Sequence, residues 1–200
     1  MHSVAGNGTT PFFNNGRVFQ AYYDSFILLW NGGIQRDLRK LIYLYPNYEL
    51  WITGHSMGGA LATLASAYIA RTEIFRGNRI RVVALATPPI GDLEFAKYHW
   101  HTLPYSFHIV HHNDPVPMNS YVDMVHNITL YRQRTQVWYN NNMRLEDPYI
   151  ICPEADGPYC NDHANKSEAY ANDHLYYFDI QLTKWGLDGC PKNVTNYQQS

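Results

Sequence analysis

The stretch Gly54–Gly59, GHSMGG in one-letter code, decides the fold of this chain of 200 residues. It fits the pattern Gly-x-Ser-x-Gly, with Ser56 at its centre. The β-prone run Tyr48–Thr53 precedes it, and the alanine-rich, helix-prone run Ala60–Ala70 follows it. Strand, tight turn and helix in this order are the context of a nucleophile elbow. We therefore interpret Ser56 as a nucleophile, and not as the cap of an ordinary turn, which is the alternative meaning of the motif.

The glycines of the motif suit this interpretation. A serine on a sharp, strained turn requires neighbours without clashing side chains, which Gly54 and Gly58 supply. Gly59 and Ala60 allow the next helix to lie close to the sheet. The helix N-terminus then directs free N–H groups and its positive dipole end at the reacting centre.

Length and composition indicate one globular domain. A chain of 200 residues can bury a sizeable core. The formal net charge of −2 argues against a nucleic-acid partner or an anionic membrane surface. The 17 tyrosines and 5 tryptophans either pack the core or meet greasy substrates. We predict no transmembrane segment and recognise no signal peptide.

Other features nevertheless favour a secreted protein. Cys152 and Cys160 flank a turn-rich loop that a disulfide could close, which leaves Cys190 without a partner. A zinc site built from Cys152, Cys160 and His163 is the alternative, but its spacing matches no usual ligand pattern. We therefore expect neither a metal nor another cofactor. Sequons for N-glycosylation begin at Asn7, Asn127, Asn165 and Asn193.

Helical and β-prone runs alternate along the chain, which predicts an α/β domain with a mostly parallel central sheet flanked by helices. Residues 1–17 are interpreted as a loop, residues 18–186 as the domain and residues 187–200 as a tail. Besides the elbow, the pattern predicts helices over Val18–Trp30 and Ile34–Leu44, strands over Ile80–Ala86 and Tyr105–His111, a closing antiparallel pair over Ile128–Gln133 and Thr135–Tyr139, and a final loop and helix over Ala169–Trp185.

A serine nucleophile needs a base and an acid that orients the base. Elbow hydrolases place them in the chain order serine, acid, histidine. Asp114 directly follows the third predicted strand, whereas Asp92, the other candidate, is better suited to cap a helix. Of the later histidines, we choose His174, at the start of an amphipathic helix and beside a loop. The histidines not chosen for the site are His126 and His163, and those expected to be packing or surface residues are His99, His101, His108, His111 and His112.

The chain resembles the class 3 (fungal-type) triacylglycerol lipases of the α/β-hydrolase superfamily. Its elbow with the following helix, an acid motif and a histidine motif occur in the family's order, and the resemblance runs from about residue 16 to residue 185. The loop that follows Ala86 is similar to a Gly-x-Pro-x-x-Gly-Asp loop of the family, with Ala86 in place of the first glycine. Residues 137–140 and the region of Cys152 and Cys160 resemble a secreted, cysteine-bearing animal branch of the family. The matching stretches are Gly54–Ala62, Asn113–Pro117, Asp173–Phe178 and Thr87–Asp92.

The resemblance implies an α/β-hydrolase domain that cleaves carboxylic esters of lipids through a covalent serine ester. It implies that His174 is the base of Ser56, that Asp114 orients His174, and that the N–H of Met57 is an oxyanion donor. The substrate would be a lipid ester at an oil–water or membrane interface, and the protein would be extracellular. The alternatives are an esterase of small soluble esters and a lipase-like binding protein with weak activity.

One departure from the family changes the expectation. The family carries an upstream strand that ends in a Phe-Arg-Gly-Thr/Ser-like loop, which supplies an oxyanion donor. Residues 1–53 contain no such motif. We therefore expect a lipase-like domain that lacks its first strands, with an exposed sheet edge beside the elbow strand, weak turnover and an unpaired Cys190.

Overall fold

The computed structural model describes residues 8–118, 121–124, 126–152 and 171–198. Strands and helices alternate through the middle of this part of the chain. In chain order the elements are β1 (Thr9–Pro11), β2 (Arg17–Phe19), α1 (Gln20–Leu29), α2 (Gln35–Leu44), β3 (Leu50–His55), α3 (Met57–Arg71), β4 (Ile80–Leu85), α4 (Leu93–Thr102), β5 (Ser106–His111), α5 (Pro115–Met118), β6 (Tyr121–Asp123), β7 (Ile128–Leu130), β8 (Gln136–Tyr139), β9 (Ile150–Cys152), α6 (Ala171–Leu175), β10 (Tyr176–Tyr177), β11 (Ile180–Gln181) and α7 (Leu182–Leu187).

The centre of the fold is a mostly parallel sheet, as the sequence predicts. Within the described residues it has five strands in the order β3-β4-β5-β8-β9. The neighbours β3–β4, β4–β5 and β5–β8 are parallel, and β9 runs antiparallel to β8. The carboxyl ends of β3 and β5 therefore lie at the same edge of the sheet, where the residues that follow them can meet.

The core lies on both faces of this sheet. On one face, Ala60, Leu64 and Ala67 of α3 pack in a cluster that includes Val82 and Ala84 of β4. On the other face, Ile109 belongs to a second cluster that also contains Val83 and Tyr177. Alternation of side chains along each strand explains this division, because successive residues point to opposite faces.

Close packing at the elbow accounts for two of its glycines. A Cβ atom on Gly54 would overlap the carbonyl group of Gly58, and one on Gly59 would lie 2.5 Å from Thr87 Oγ1. The expectation for Gly58 is wrong, because a Cβ there would have no described atom within 4 Å. Gly58 instead borders a cavity on the outer side of β3.

Three predicted elements differ from the structure. The final loop and helix is in fact a short helix α6, the antiparallel hairpin of β10 and β11, and a second helix α7. The segment expected to be a loop contains β1, which pairs antiparallel with β2 across the turn at residues 12–16. The strand β7 pairs with β6 and not with β8, so the closing antiparallel pair is wrong. The physical reason is that β7 forms a local hairpin, whereas β8 is buried over Gln136–Trp138 and inserts between β5 and β9.

In the described part of the chain, the elbow strand β3 forms one edge of the sheet, with β4, β5, β8 and β9 on one side of it. An apolar cavity of about 360 Å³ lies beside β3 and is lined by residues of α1, α2 and α3. Trp51, the second residue of β3, is 61% exposed. An exposed edge with uncovered apolar surface beside it favours aggregation.

Two histidines buried in the fold should make its stability depend on pH. Burial lowers the pKa of His99 and of His108 to about 3, and the positive charge of Arg132 adds to the effect on His108. Unfolding exposes both rings, whose pKa then returns to about 6.5. The unfolded chain therefore binds more protons, so this contribution to stability is complete above pH 6.5 and is lost as the pH falls toward 3.

Replacing His99 by leucine should weaken this pH dependence. For each buried histidine, the free energy of unfolding falls by up to about 1.4 kcal/mol for every pH unit below 6.5. Urea unfolding at pH 7 and pH 5 measures the effect, and His99→Leu should lose less stability between the two than the unmodified chain. The matched control is His101→Leu, because His101 is exposed on the same helix. Equal losses in all three proteins would contradict the prediction.

Candidate active site

The elbow places Ser56 between the end of β3 and the start of α3. Ser56 has φ 57° and ψ −126°, a left-handed φ that is uncommon outside glycine. Its N–H donates to the carbonyl of Leu85 at 2.9 Å, which ties the turn to the end of β4. Strand, strained turn and helix are therefore present as the sequence predicts.

Ser56, His174 and Asp114 lie in one hydrogen-bonded chain. The Nε2 atom of His174 lies 3.0 Å from Ser56 Oγ. Its Nδ1 atom lies 3.0 Å from each carboxylate oxygen of Asp114. A carboxylate accepts hydrogen bonds, so Nδ1 carries the ring proton and Nε2 is left to accept from the serine hydroxyl. These separations fall within the range of about 2.6–3.2 Å that a catalytic hydrogen bond requires.

Asp114 is completely buried just after β5. Its carboxylate accepts hydrogen bonds from the Val116 N–H at 2.9 Å and from the Tyr177 hydroxyl at 2.7 Å, in addition to His174. These donors compensate the carboxylate for the water that burial removes. The group is therefore held in place as a charged acceptor behind the imidazole.

Tyr177 is a residue of the candidate site that the sequence pattern does not predict. Its side chain is completely buried, and burial raises the pKa of its hydroxyl well above the usual value, with the charge of Asp114 acting in the same direction. The hydroxyl therefore stays protonated and donates to Asp114. The only signal in the sequence is a tyrosine three residues after His174, in a run that reads equally well as core.

The paired histidines after β5 also contact the segment that carries His174. The Nδ1 atom of His111 lies 3.1 Å from the carbonyl oxygen of Asp173 and 2.7 Å from that of Tyr176. The Nδ1 atom of His112 lies 3.0 Å from the Asp173 carboxylate, which also accepts from the Asn113 N–H. His111 is buried and His112 is partly exposed, as expected of packing and surface residues, and both in addition hold the segment that carries His174.

The competing candidates are engaged elsewhere. Asp92 caps α4 by accepting from the Phe95 N–H, and it also accepts from the Arg17 N–H. His126 lies with its Nδ1 atom 2.6 Å from the carboxylate of Asp123. His163 falls outside the described residues.

Several other predicted sites stay predictions. Met57 is the first residue of α3, where N–H groups have no acceptor within the helix, so its N–H can face an oxyanion. Cys160, Asn7 and Asn165 fall outside the residues that the structure describes, and Cys152 lies in β9. Cys190 is exposed with a free thiol. The remaining sequon asparagines, Asn127 and Asn193, are both exposed.

Two negative findings concern only the described part of the chain. No group of three or more His, Cys, Asp and Glu side chains in it could hold a metal ion. None of its helices has both the length and the apolar character needed to cross a membrane.

Comparison with solved structures identifies the fold. The lipase from Rhizopus microsporus var. chinensis superimposes with a TM-score of 0.74 at 24% identity, covering 86% of this chain and 58% of that one. The triacylglyceride lipase of Rhizomucor miehei gives a TM-score of 0.71 at 24% identity, over 85% of this chain and 62% of that one. The fold is therefore the α/β-hydrolase fold of the fungal lipases.

Comparison of sequences identifies the family. An uncharacterized protein of Caenorhabditis elegans is 32% identical over 202 residues, covering 100% of this chain and 65% of the relative. Lipase ZK262.3 of Caenorhabditis elegans is 31% identical over 176 residues, covering 76% of this chain and 50% of the relative. The chain thus spans about half to two thirds of the length of these relatives. The family described as Lipase (class 3) matches residues 3–124. The chain belongs to the class 3 lipase family.

Proposed function

We propose that this protein is a serine hydrolase that cleaves carboxylic esters of lipids, with Ser56 as nucleophile, His174 as base and Asp114 as the orienting acid. The observation that carries the proposal is the chain of 3.0 Å contacts from Ser56 Oγ through the imidazole of His174 to the carboxylate of Asp114. A nucleophile, a base and an orienting acid within hydrogen-bond reach of one another are the requirements of acyl transfer through serine.

The geometry supports a two-step reaction. The Nε2 atom of His174 takes the proton of Ser56 as Oγ attacks the ester carbonyl, and the tetrahedral intermediate forms. His174 then gives that proton to the leaving alcohol, and the acyl group stays on Ser56. Water hydrolyses the acyl-serine by the same steps in reverse. Asp114 keeps the proton on Nδ1 throughout and stabilises the imidazolium while it exists.

The N–H of Met57 would stabilise the negative oxygen of the intermediate. Met57 follows the nucleophile and begins α3, so the partial positive charge of the helix N-terminus lies beside the reacting carbonyl. In related chemistry one oxyanion donor contributes about 10²–10³ in turnover. Met57 is the one donor that we assign, since residues 1–53 contain no motif for the family's upstream donor loop. We therefore expect modest turnover.

Lipid esters are the substrate class that the relatives favour. A secreted mono- and diacylglycerol lipase A of Penicillium cyclopium is 34% identical over 112 residues, covering 54% of this chain and 34% of that protein. The side chain of Met57 beside the nucleophile is apolar and exposed, as contact with an acyl chain requires. The same relative and the exposed sequon asparagines support an extracellular protein that works at an oil–water or membrane interface.

Labelling and substrate profiling of the 200-residue chain test the proposal together. A fluorophosphonate probe should label the chain, and emulsified dioleoylglycerol should be hydrolysed with a higher kcat/KM than soluble p-nitrophenyl butyrate. A preference for the butyrate would replace the lipase with an esterase of small esters. Absence of labelling and of hydrolysis would overturn the proposal in favour of a lipase-like binding protein.

A further inference from the structure

His55, the residue directly before Ser56, reaches the segment that carries His174. Its Nε2 atom lies 2.8 Å from the main-chain carbonyl oxygen of His174. The two imidazole rings also face each other, with centroids 4.6 Å apart and planes inclined by 36°. Because a carbonyl oxygen only accepts, Nε2 of His55 must carry a proton and donate it in this hydrogen bond.

The surroundings of His55 keep it neutral. Among the described residues, the titratable groups near it are the ring of His174, the ring of Tyr177 at 5.5 Å, and the more distant charge of Asp114. Burial lowers the pKa of His55, and the imidazole of His174 lowers it further, against smaller opposite effects of the carbonyl and of Asp114. His55 is therefore a neutral imidazole with its proton on Nε2 when His174 takes a proton from Ser56.

The hydrogen bond from His55 to the His174 carbonyl connects the segments of the nucleophile and the base at positions next to both side chains. His55 is one residue from Ser56, and it holds the carbonyl of the residue whose side chain accepts the proton of Ser56. His111 holds the carbonyls of Asp173 and Tyr176 on either side from the end of β5. His55 is thus the anchor that ties the main chain of His174 to the elbow itself.

We propose that His55 is a positioning residue: its Nε2–H fixes the main chain of His174, and its ring limits the rotation of the His174 imidazole, so that the base stays in line with Ser56. The inference rests on the proposed hydrolase function. A small displacement of a catalytic group is sufficient to slow a reaction by about 10²-fold. His55 acts through His174, so its loss should lower kcat and leave KM nearly unchanged.

Two substitutions separate the hydrogen bond from the ring contact. His55→Phe keeps a flat ring and removes the donor, and we expect its kcat to fall about 10- to 100-fold. His55→Gln keeps an N–H donor at similar reach and should recover most of that loss. His101→Phe, at an exposed histidine, is the matched control and should retain full kcat. Full kcat in His55→Phe, a rise in KM in place of the fall in kcat, or no recovery in His55→Gln would overturn the inference.

A measurement that does not depend on activity separates this inference from the proposed function. Nitrogen NMR of the imidazoles in the unmodified chain should show His55 neutral and protonated on Nε2 at pH 6, where an exposed histidine is largely cationic. A cationic His55, or a proton on Nδ1 only, would overturn the inference. If thermal unfolding shows that His55→Phe does not fold, this NMR measurement on the unmodified chain still tests the role of His55. An unmodified chain that does not react with the fluorophosphonate would instead refute the proposed function.

Discussion

Replacing Ser56 by alanine should abolish hydrolysis, with turnover falling at least about 10⁴-fold. The substitution removes Ser56 Oγ, the atom that lies 3.0 Å from His174 Nε2 and that would form the acyl ester. The methyl group of alanine fits the space that the hydroxymethyl group leaves. The strained turn is tied to β4 through the main-chain N–H of residue 56, which alanine retains. The fold should therefore survive. Initial rates on emulsified and soluble esters, with fluorophosphonate labelling, measure the loss.

The matched control for this experiment is Ser25→Ala. Ser25 lies in α1, and its hydroxyl donates to the carbonyl of Ala21, so its replacement removes a local hydrogen bond away from the elbow. That variant should keep its labelling and its rate. Labelling that persists in Ser56→Ala and vanishes in Ser25→Ala would refute the assignment of the nucleophile.

Replacing Asp114 by asparagine should lower kcat about 10⁴-fold, although the two side chains have nearly the same size and shape. The amide can present an N–H group to Nδ1 of His174, which then has to accept, and the ring proton moves to Nε2. An imidazole protonated on Nε2 cannot take the proton of Ser56. The amide also replaces a charge that accepts from Tyr177 and from the Val116 N–H. The kcat of folded protein, checked by urea unfolding, measures the effect.

Asp92→Asn is the matched control, because Asp92 is the other acid that follows a strand. Asp92 caps α4, and asparagine is an equally good cap, but its amide nitrogen cannot accept from the Arg17 N–H, so stability should fall by about 1–3 kcal/mol while the fold is retained. Its kcat should equal that of the unmodified chain. A large loss of kcat in Asp92→Asn, with Asp114→Asn active, would show that the two acids are assigned the wrong way round.

The sequence predicts the elbow, the helices beside it and the positions of Ser56, Asp114 and His174. Each of these signals is local. A strained serine turn needs small neighbours within a few residues, as the Gly54 and Gly59 contacts show, and a helix pattern repeats over a few turns. The chain order of serine, acid and histidine then selects among a few candidates.

Local signals do not determine which strands pair. The run Ile128–Leu130 is compatible with either neighbour, and it forms a hairpin with Tyr121–Asp123. The run Gln136–Tyr139 joins the central sheet beside Ser106–His111. Strand pairing depends on burial and on hydrogen bonds between distant segments, which β-propensity reflects only through its context.

Sequence alone is sufficient to predict the turn, the candidate nucleophile and the likeness to a lipase, because strained backbone and spacing are properties of neighbouring residues. Only the tertiary structure decided which side chains support the base. Tyr177 meets Asp114 across 63 residues, and His55 meets the His174 carbonyl across 119. The sequence pattern assigns neither of them a role. Their orienting contacts exist because a parallel sheet brings the ends of β3 and β5 to one edge, where the segment carrying His174 packs across both.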